Sequence, residues 1–279
     1  MPVIIPHTLS DACEALHDNP ESTLLSGGTD LMVEVNFNHR RPTDVIVLRH
    51  VEELTRWSID HEEGMVHIGA GVPYVEMESG PLALAIPALA AAARTVGSPQ
   101  IRSAGTLGGN LGTCSPAGDT LPVLSALNAE VHLASINTQR SIPFAEFMTG
   151  PKRNVRNPNE IVSGITVPIS NGWQGYSKVG VRNAMVISVA SACLAIQDDT
   201  VRIALGSVGP AILRCPQAES FINDYIANKA KITPDVSHEF GKIAASESRP
   251  IDDHRSTASY RRHAISVLAT RLLERGNPS

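Results

Sequence analysis

Two short stretches hold the residue types from which a phosphate-binding site can be built. One is Thr106-Leu107-Gly108-Gly109-Asn110, inside the run from Gly97 to Thr120. The other, far upstream, is Leu25-Ser26-Gly27-Gly28-Thr29-Asp30-Leu31. In each, paired glycines let the backbone come close to another group, because no Cβ stands in the way. The neighbouring serine, threonines and asparagine add short polar side chains that can bond to phosphate beside bare backbone N–H groups. The pattern predicts one large phosphate-bearing ligand gripped from two sides. The plainer alternative is a pair of tight turns. Neither stretch reads G-x-G-x-x-G or G-x-x-x-x-G-K-[ST], so neither the dinucleotide fingerprint nor the P-loop applies.

Other chemistry is sparse. The four cysteines, Cys13, Cys114, Cys193 and Cys215, are scattered with no C-x-x-C. Metal or cluster ligation needs grouped thiolates, so the chain is expected to carry no iron–sulfur cluster of its own. Cys13, Cys193 and Cys215 sit in apolar surroundings that suit packing. Cys114 follows the second glycine stretch and could lie near the ligand, although packing suits it too. The ten histidines form no H-x-x-x-H pair, and no metal site is expected. No side chain is assigned as a catalytic acid, base or nucleophile.

Composition narrows the class. At 279 residues the chain can bury a full core in one large domain or two. An apolar share of 42% and a charged share of 18% are those of a globular protein. The formal charge of −5 offers no basic field of the size nucleic acid requires. The run Leu82 to Ala93 is alanine-rich and broken by Pro87, too short and weak for a bilayer span. The first residues lack a basic segment followed by a long apolar one, so a cytoplasmic location is expected.

The elements that must position the two stretches follow from periodicity and punctuation. A strand Val3–Ile5, a helix capped by Ser10, and a strand Thr23–Leu25 lead into the first glycine stretch. A helix or extended piece runs from Leu31 to Asn36, followed by buried strand Asp44–Leu48 and half-buried strand Met65–Gly69. Helices are expected at Pro81–Ile86 and Ala88–Val96, with Gly97 as the stop. A helix from Asp119 then leads to strands Glu130–Ala134 and Ile161–Val167. Asn171-Gly172 marks a boundary. Beyond it come β-rich runs Tyr176–Val181, Ile187–Ile196 and Val201–Val208, the last two joined as a hairpin at Asp198-Asp199. Helices near Gln217–Lys229, Pro234–Ser246 and Thr257–Arg275 close the chain, the last with an apolar stripe including Ile265, Leu268 and Leu272. Strands followed by clustered helices favour α+β.

Taken in order, five segments make the chain resemble the FAD-binding medium subunit of molybdenum hydroxylases of the xanthine dehydrogenase and carbon monoxide dehydrogenase type. They are Leu24 to Leu31; Gln100 to Asn110 with Ser115-Pro116 and Asp119; Tyr176 to Arg182; Arg202 to Pro210 with Arg214 and Ala218-Glu219; and Asp253 to Arg262. Each is weak alone, but five in the right order are specific. The resemblance implies a vanillyl-alcohol-oxidase-like FAD-binding domain over residues 1–170, in two subdomains of about 1–55 and 56–170. A C-terminal α+β domain with a three-stranded antiparallel sheet and helices would fill 171–279.

By motif position the resemblance places FAD phosphates on Leu25 to Leu31 and Thr106 to Asn110. It puts Ile101 against the cofactor, Asp119 on its ribose or holding the second loop, Val162 in the flavin region and Lys178 close to the flavin. Read from the residues alone, Asp119 is equally a helix N-cap and Lys178 a solvated strand charge. Such a lysine would stabilise negative charge on a reduced flavin. Val186 departs from the aspartate that many members carry there. The resemblance further implies a small subunit with two-iron two-sulfur clusters and a large subunit with the molybdenum cofactor, in a dimer of heterotrimers. FAD in this chain would take electrons from the clusters and pass pairs to a final acceptor. Two other classes stay open: a self-contained flavin oxidase, and a nucleotide-binding module without catalysis.

Overall fold

A computed structural model of the chain describes residues 2–276. Among the described residues, three larger sheets follow one another along the chain, beside a small two-stranded pairing of Met148–Gly150 with Arg153–Asn154. The first is parallel, in the order Val3–Ile4, Val45–Val47, Thr23–Leu25. Helix Leu9–Asp18 covers it through buried Ala12, Cys13 and Leu16. Its cap is Thr8 rather than the expected Ser10. Thr8 is extended and its hydroxyl accepts from Asp11 N at 3.1 Å, whereas Ser10 already lies in the first turn.

The second sheet is antiparallel, in the order Trp57–Asp60, Met65–Gly69, Ile161–Pro168, Glu130–Ala134, Gln139–Pro143. Its three inner strands match the sequence expectation. The outer two went unread: Gln139–Pro143 is a largely polar edge strand, where no apolar alternation is needed, and Trp57–Asp60 spans only four residues. The alanine-rich run forms two short helices, Gly80–Ala85 and Pro87–Arg94, split at Ile86. Among the described residues no helix is long and apolar enough to cross a membrane.

The third sheet is antiparallel: Gln174–Val179, Ala190–Gln197, Thr200–Gly206 and a two-residue fourth strand, Leu213–Arg214. That edge strand is too short to leave a periodic signal. The hairpin turn holds Asp198 at φ +48° and Asp199 at φ +57°, the left-handed pair that a tight two-residue hairpin turn demands. Alternate side chains face two cores. Tyr176, Cys193, Ala195 and Ala204 join the core shared with the first two sheets. Ala192, Leu194, Ile203 and Leu205 face helices Pro216–Ala227, Pro234–Glu247 and Ala258–Gly276. A sheet buried on both faces reads as a nearly continuous apolar run. All four cysteines are buried and unpaired.

Candidate functional site

Both glycine stretches open onto one cavity of about 1090 Å³. That exceeds the range of roughly 300–1,000 Å³ usual for ligand pockets and suits a large cofactor. The first stretch leaves strand Thr23–Leu25 and turns at Ser26–Asp30 into helix Leu31–Asn36, so Leu31 to Asn36 is helical. The second is itself helical: Thr106 is extended, its hydroxyl accepts from Gly109 N at 3.0 Å, and the helix runs Leu107–Thr113. Side chains tie the two together. Ser26 Oγ lies 2.9 Å from Thr106 Oγ1, and Thr113 donates to Asp30 at 3.3 Å.

The glycines divide into two kinds. A Cβ on Gly27 would stand 1.9 Å from Ala104 O, and one on Gly108 would stand 2.4 Å from Ala70 Cβ. Those two let protein backbone meet protein backbone. A Cβ on Gly109 would meet only Thr106 Oγ1, at 3.2 Å, and one on Gly112 would meet nothing within 4 Å. Both of these line the cavity, so their bare faces are the surface on which a ligand can lie. Gly28 lines it too and is held at φ +73°, a conformation strained for any side chain.

Of the expected residues, Leu25, Ser26, Gly27, Gly28, Thr29, Asp30 and Leu31 all line the cavity. So do Ile101, Thr106, Gly108, Gly109, Asn110, Asp119 and Val162. Leu107 does not; it is wholly buried and points into the core from the opposite side of its helix. Lys178 does not either, and it is no solvated strand charge. Its ammonium donates to Asp119 Oδ2 at 2.7 Å, Thr95 O at 2.8 Å and Val186 O at 3.2 Å. Tyr176, two residues earlier on the same face of the strand, donates to Asp119 Oδ1 at 2.8 Å. Asp119 is therefore not a helix cap: the next helix begins at Leu121 with no side-chain cap. Burial pushes the Asp119 carboxyl above its ordinary value, and Lys178 and Tyr176 pull it back.

Several wall residues escaped the sequence reading. Arg156 and Lys152 also line the cavity, and Lys152 pairs with Glu34 of the helix that follows the first stretch. Met185, Val186 and Ile187 close it from the segment after the first strand of the third sheet. No spacing marks these positions, because they come from loops far apart in the chain. Cys114, at φ +52°, ends the helix after Gly109 and is fully buried; burial pushes its thiol up to about 11. The described residues contain no group of three or more His, Cys, Asp or Glu that could hold a metal.

Similarity to known proteins extends along nearly the whole chain. Residues 1–170 match the family model described as the FAD binding domain in molybdopterin dehydrogenase. Residues 176–275 match the CO dehydrogenase flavoprotein C-terminal domain. The nicotinate dehydrogenase FAD-subunit of Eubacterium barkeri is 32% identical over 231 residues, 78% of this chain and 77% of that one. The nicotine 6-hydroxylase medium subunit of Paenarthrobacter nicotinovorans is 30% identical over 278 residues, 96% and 94% of the two chains. Among solved structures, a carbon monoxide dehydrogenase from Hydrogenophaga pseudoflava superposes with a TM-score of 0.90. Identity there is 25%, over 99% of this chain and 96% of that one.

Proposed function

This chain belongs to the FAD-binding medium subunits of the molybdenum hydroxylase family, and from that premise we propose that its large cavity holds FAD for electron transfer within a multi-subunit oxidoreductase. The observation that carries the reading is the meeting of two distant glycine stretches, Ser26 to Leu31 and Thr106 to Asn110, on one wall. The bare faces of Gly109 and Gly112 make that wall fit a cofactor that must lie flush against backbone.

Within the proposal, backbone N–H groups and the hydroxyls of Ser26, Thr29 and Thr106 hold the diphosphate, at two helix N-termini whose partial positive charge favours an anion. Arg156 and Lys152 add positive charge to the same wall. Ile101 and Val162 supply apolar contact, and Asp119 offers a carboxylate oxygen to a ribose-type hydroxyl. Lys178 acts on the cofactor only through Asp119, whose position it fixes. When bound, FAD supplies the redox chemistry, taking up electrons and giving them to a final acceptor. The chain's own residues bind and orient it and exclude water around it.

The electron donor in this proposal is a small subunit carrying two-iron two-sulfur clusters, fed by a large molybdenum-cofactor subunit. A dimer of heterotrimers and a cytoplasmic location belong to the same proposal. So does a division into an FAD-binding domain over 1–170, with subdomains of about 1–55 and 56–170, and a C-terminal domain over 171–279. The oxidase and non-catalytic alternatives are set aside, since the relatives are named as FAD and medium subunits. The test is the visible absorption spectrum of the purified full chain after incubation with FAD and removal of the excess. One flavin per chain is expected; a chain that retains none would overturn the reading.

A further inference from the structure

Among the described residues, the hydroxyl of Tyr74 on the cavity wall makes no hydrogen bond within the protein. The residue is only 5% exposed and lines the cavity. The polar side-chain atoms sealed from solvent without a partner are Ser22 Oγ, Ser188 Oγ, Ser207 Oγ and Arg261 Nε. Tyr74 Oη is not one of them, so it opens onto the cavity. Tyr176, also buried, has spent its hydroxyl on Asp119.

The backbone that places Tyr74 is the same backbone that places the second glycine stretch. Tyr74 N donates to Gly105 O at 3.1 Å, Leu107 N to Val72 O at 3.2 Å and Gly108 N to Ala70 O at 2.8 Å. Gly105 makes room for the ring, since a Cβ there would lie 2.9 Å from Tyr74 Cε2 and 3.2 Å from Thr29 Oγ1. The phenol therefore stands where the two glycine stretches converge, within electrostatic reach of Asp119. Burial, with Asp119 adding to it, drives its ionisation far above the ordinary range. The group facing the cavity is a neutral donor.

Resting on the reading of this cavity as the FAD site, we propose that Tyr74 is a cofactor-contacting residue whose hydroxyl donates a hydrogen bond to a polar acceptor of bound FAD. A buried hydroxyl without a partner is costly, and such groups are rare unless something supplies the missing acceptor. None of the described residues supplies it; a ligand in the cavity would.

The experiment compares the full chain with Tyr74→Phe, both freed of cofactor. Titration with FAD, followed by flavin fluorescence, gives the dissociation constants, and thermal unfolding of the FAD-free proteins gives their stabilities. Loss of one hydrogen bond predicts binding about tenfold weaker. The FAD-free variant should melt no lower than its parent, because the hydroxyl removed has no protein partner. Equal FAD affinity in parent and variant overturns the inference and leaves the cavity assignment standing. So does weaker binding matched by a lower melting temperature of the FAD-free variant, which would make the hydroxyl a structural group. A parent chain that takes up no FAD overturns the cavity assignment itself.

Discussion

Gly27 and Gly109 look alike in the sequence, each a member of a glycine pair with a polar neighbour, yet a side chain would meet different things at each. At Gly109, which lines the cavity, an added Cβ would meet only the Thr106 hydroxyl. Gly109→Val is therefore expected to lower FAD content sharply while the FAD-free chain keeps its melting temperature. Gly27→Ala should do the reverse first. Its methyl collides with Ala104 O, and overpacking of this kind costs on the order of 1–3 kcal/mol, read as a lower melting temperature. If Gly109→Val retains stoichiometric flavin, the second stretch is not a cofactor wall. Gly28 cannot separate the two effects, because its positive φ penalises any side chain. The glycine stretches and Asp119 were legible because residue type and order carry them. Which glycine faces the ligand was not, since that depends on what packs behind it. Tyr74 left no trace in the sequence for the same reason: its place is set by a ladder to Gly105 and Gly108, not by any motif.

Most of the longer elements with a buried face were read from the sequence, whereas short helices such as Tyr74–Met77, Leu107–Thr113 and Phe144–Phe147 and exposed edge strands were not. Strand Met65–Gly69 shows its period in Val66 and Ile68, whereas edge strand Gln139–Pro143 buries only Ile142. On the polar side of that second sheet, His132 lies between Ser141 Oγ and Thr166 Oγ1, and Thr166 also meets His67 Nδ1 at 3.1 Å. Burial lowers the His132 pKa from 6.5, with His67 adding to the shift and Glu130 opposing it. A histidine whose folded pKa is depressed binds its proton more readily when unfolded, so stability is present above pH 6.5 and falls as pH drops below it. Both ring nitrogens already face hydroxyls, and a second proton would force Thr166 or Ser141 to reorient. Denaturant unfolding between pH 5 and pH 7.5 should show that slope, and His132→Gln should flatten it. An unchanged slope in the variant would assign the pH dependence to other groups.

At the scale of the whole chain, the third sheet is shared. Arg214 grips Glu219 with two nitrogens and reaches Ser125 O and Asn128, while Arg202 donates to Ala126 O, so the third sheet is fastened to helix Leu121–Ala126 and the turn after it. Tyr176 and Lys178 extend that connection to Asp119, and Met185 to Ile187 bring the segment beyond them to the cavity. The α+β class and the order of elements were readable from the sequence. The joint core was not, because periodicity tells that a strand has two buried faces but not what covers each. A chain built in this way binds a redox cofactor, offers no metal cluster among its described residues, and shares its family with subunits of larger enzymes. In the proposed function, electrons reach its flavin from a partner subunit. Anaerobic mixing of the FAD-loaded chain with purines, aldehydes or carbon monoxide, watched at the visible flavin band, tests this directly. No bleaching is predicted for the chain alone, and rapid bleaching by the proper substrate once a small iron–sulfur subunit and a large molybdenum subunit are added. Reduction of the lone chain by an organic substrate at catalytic speed would contradict the account.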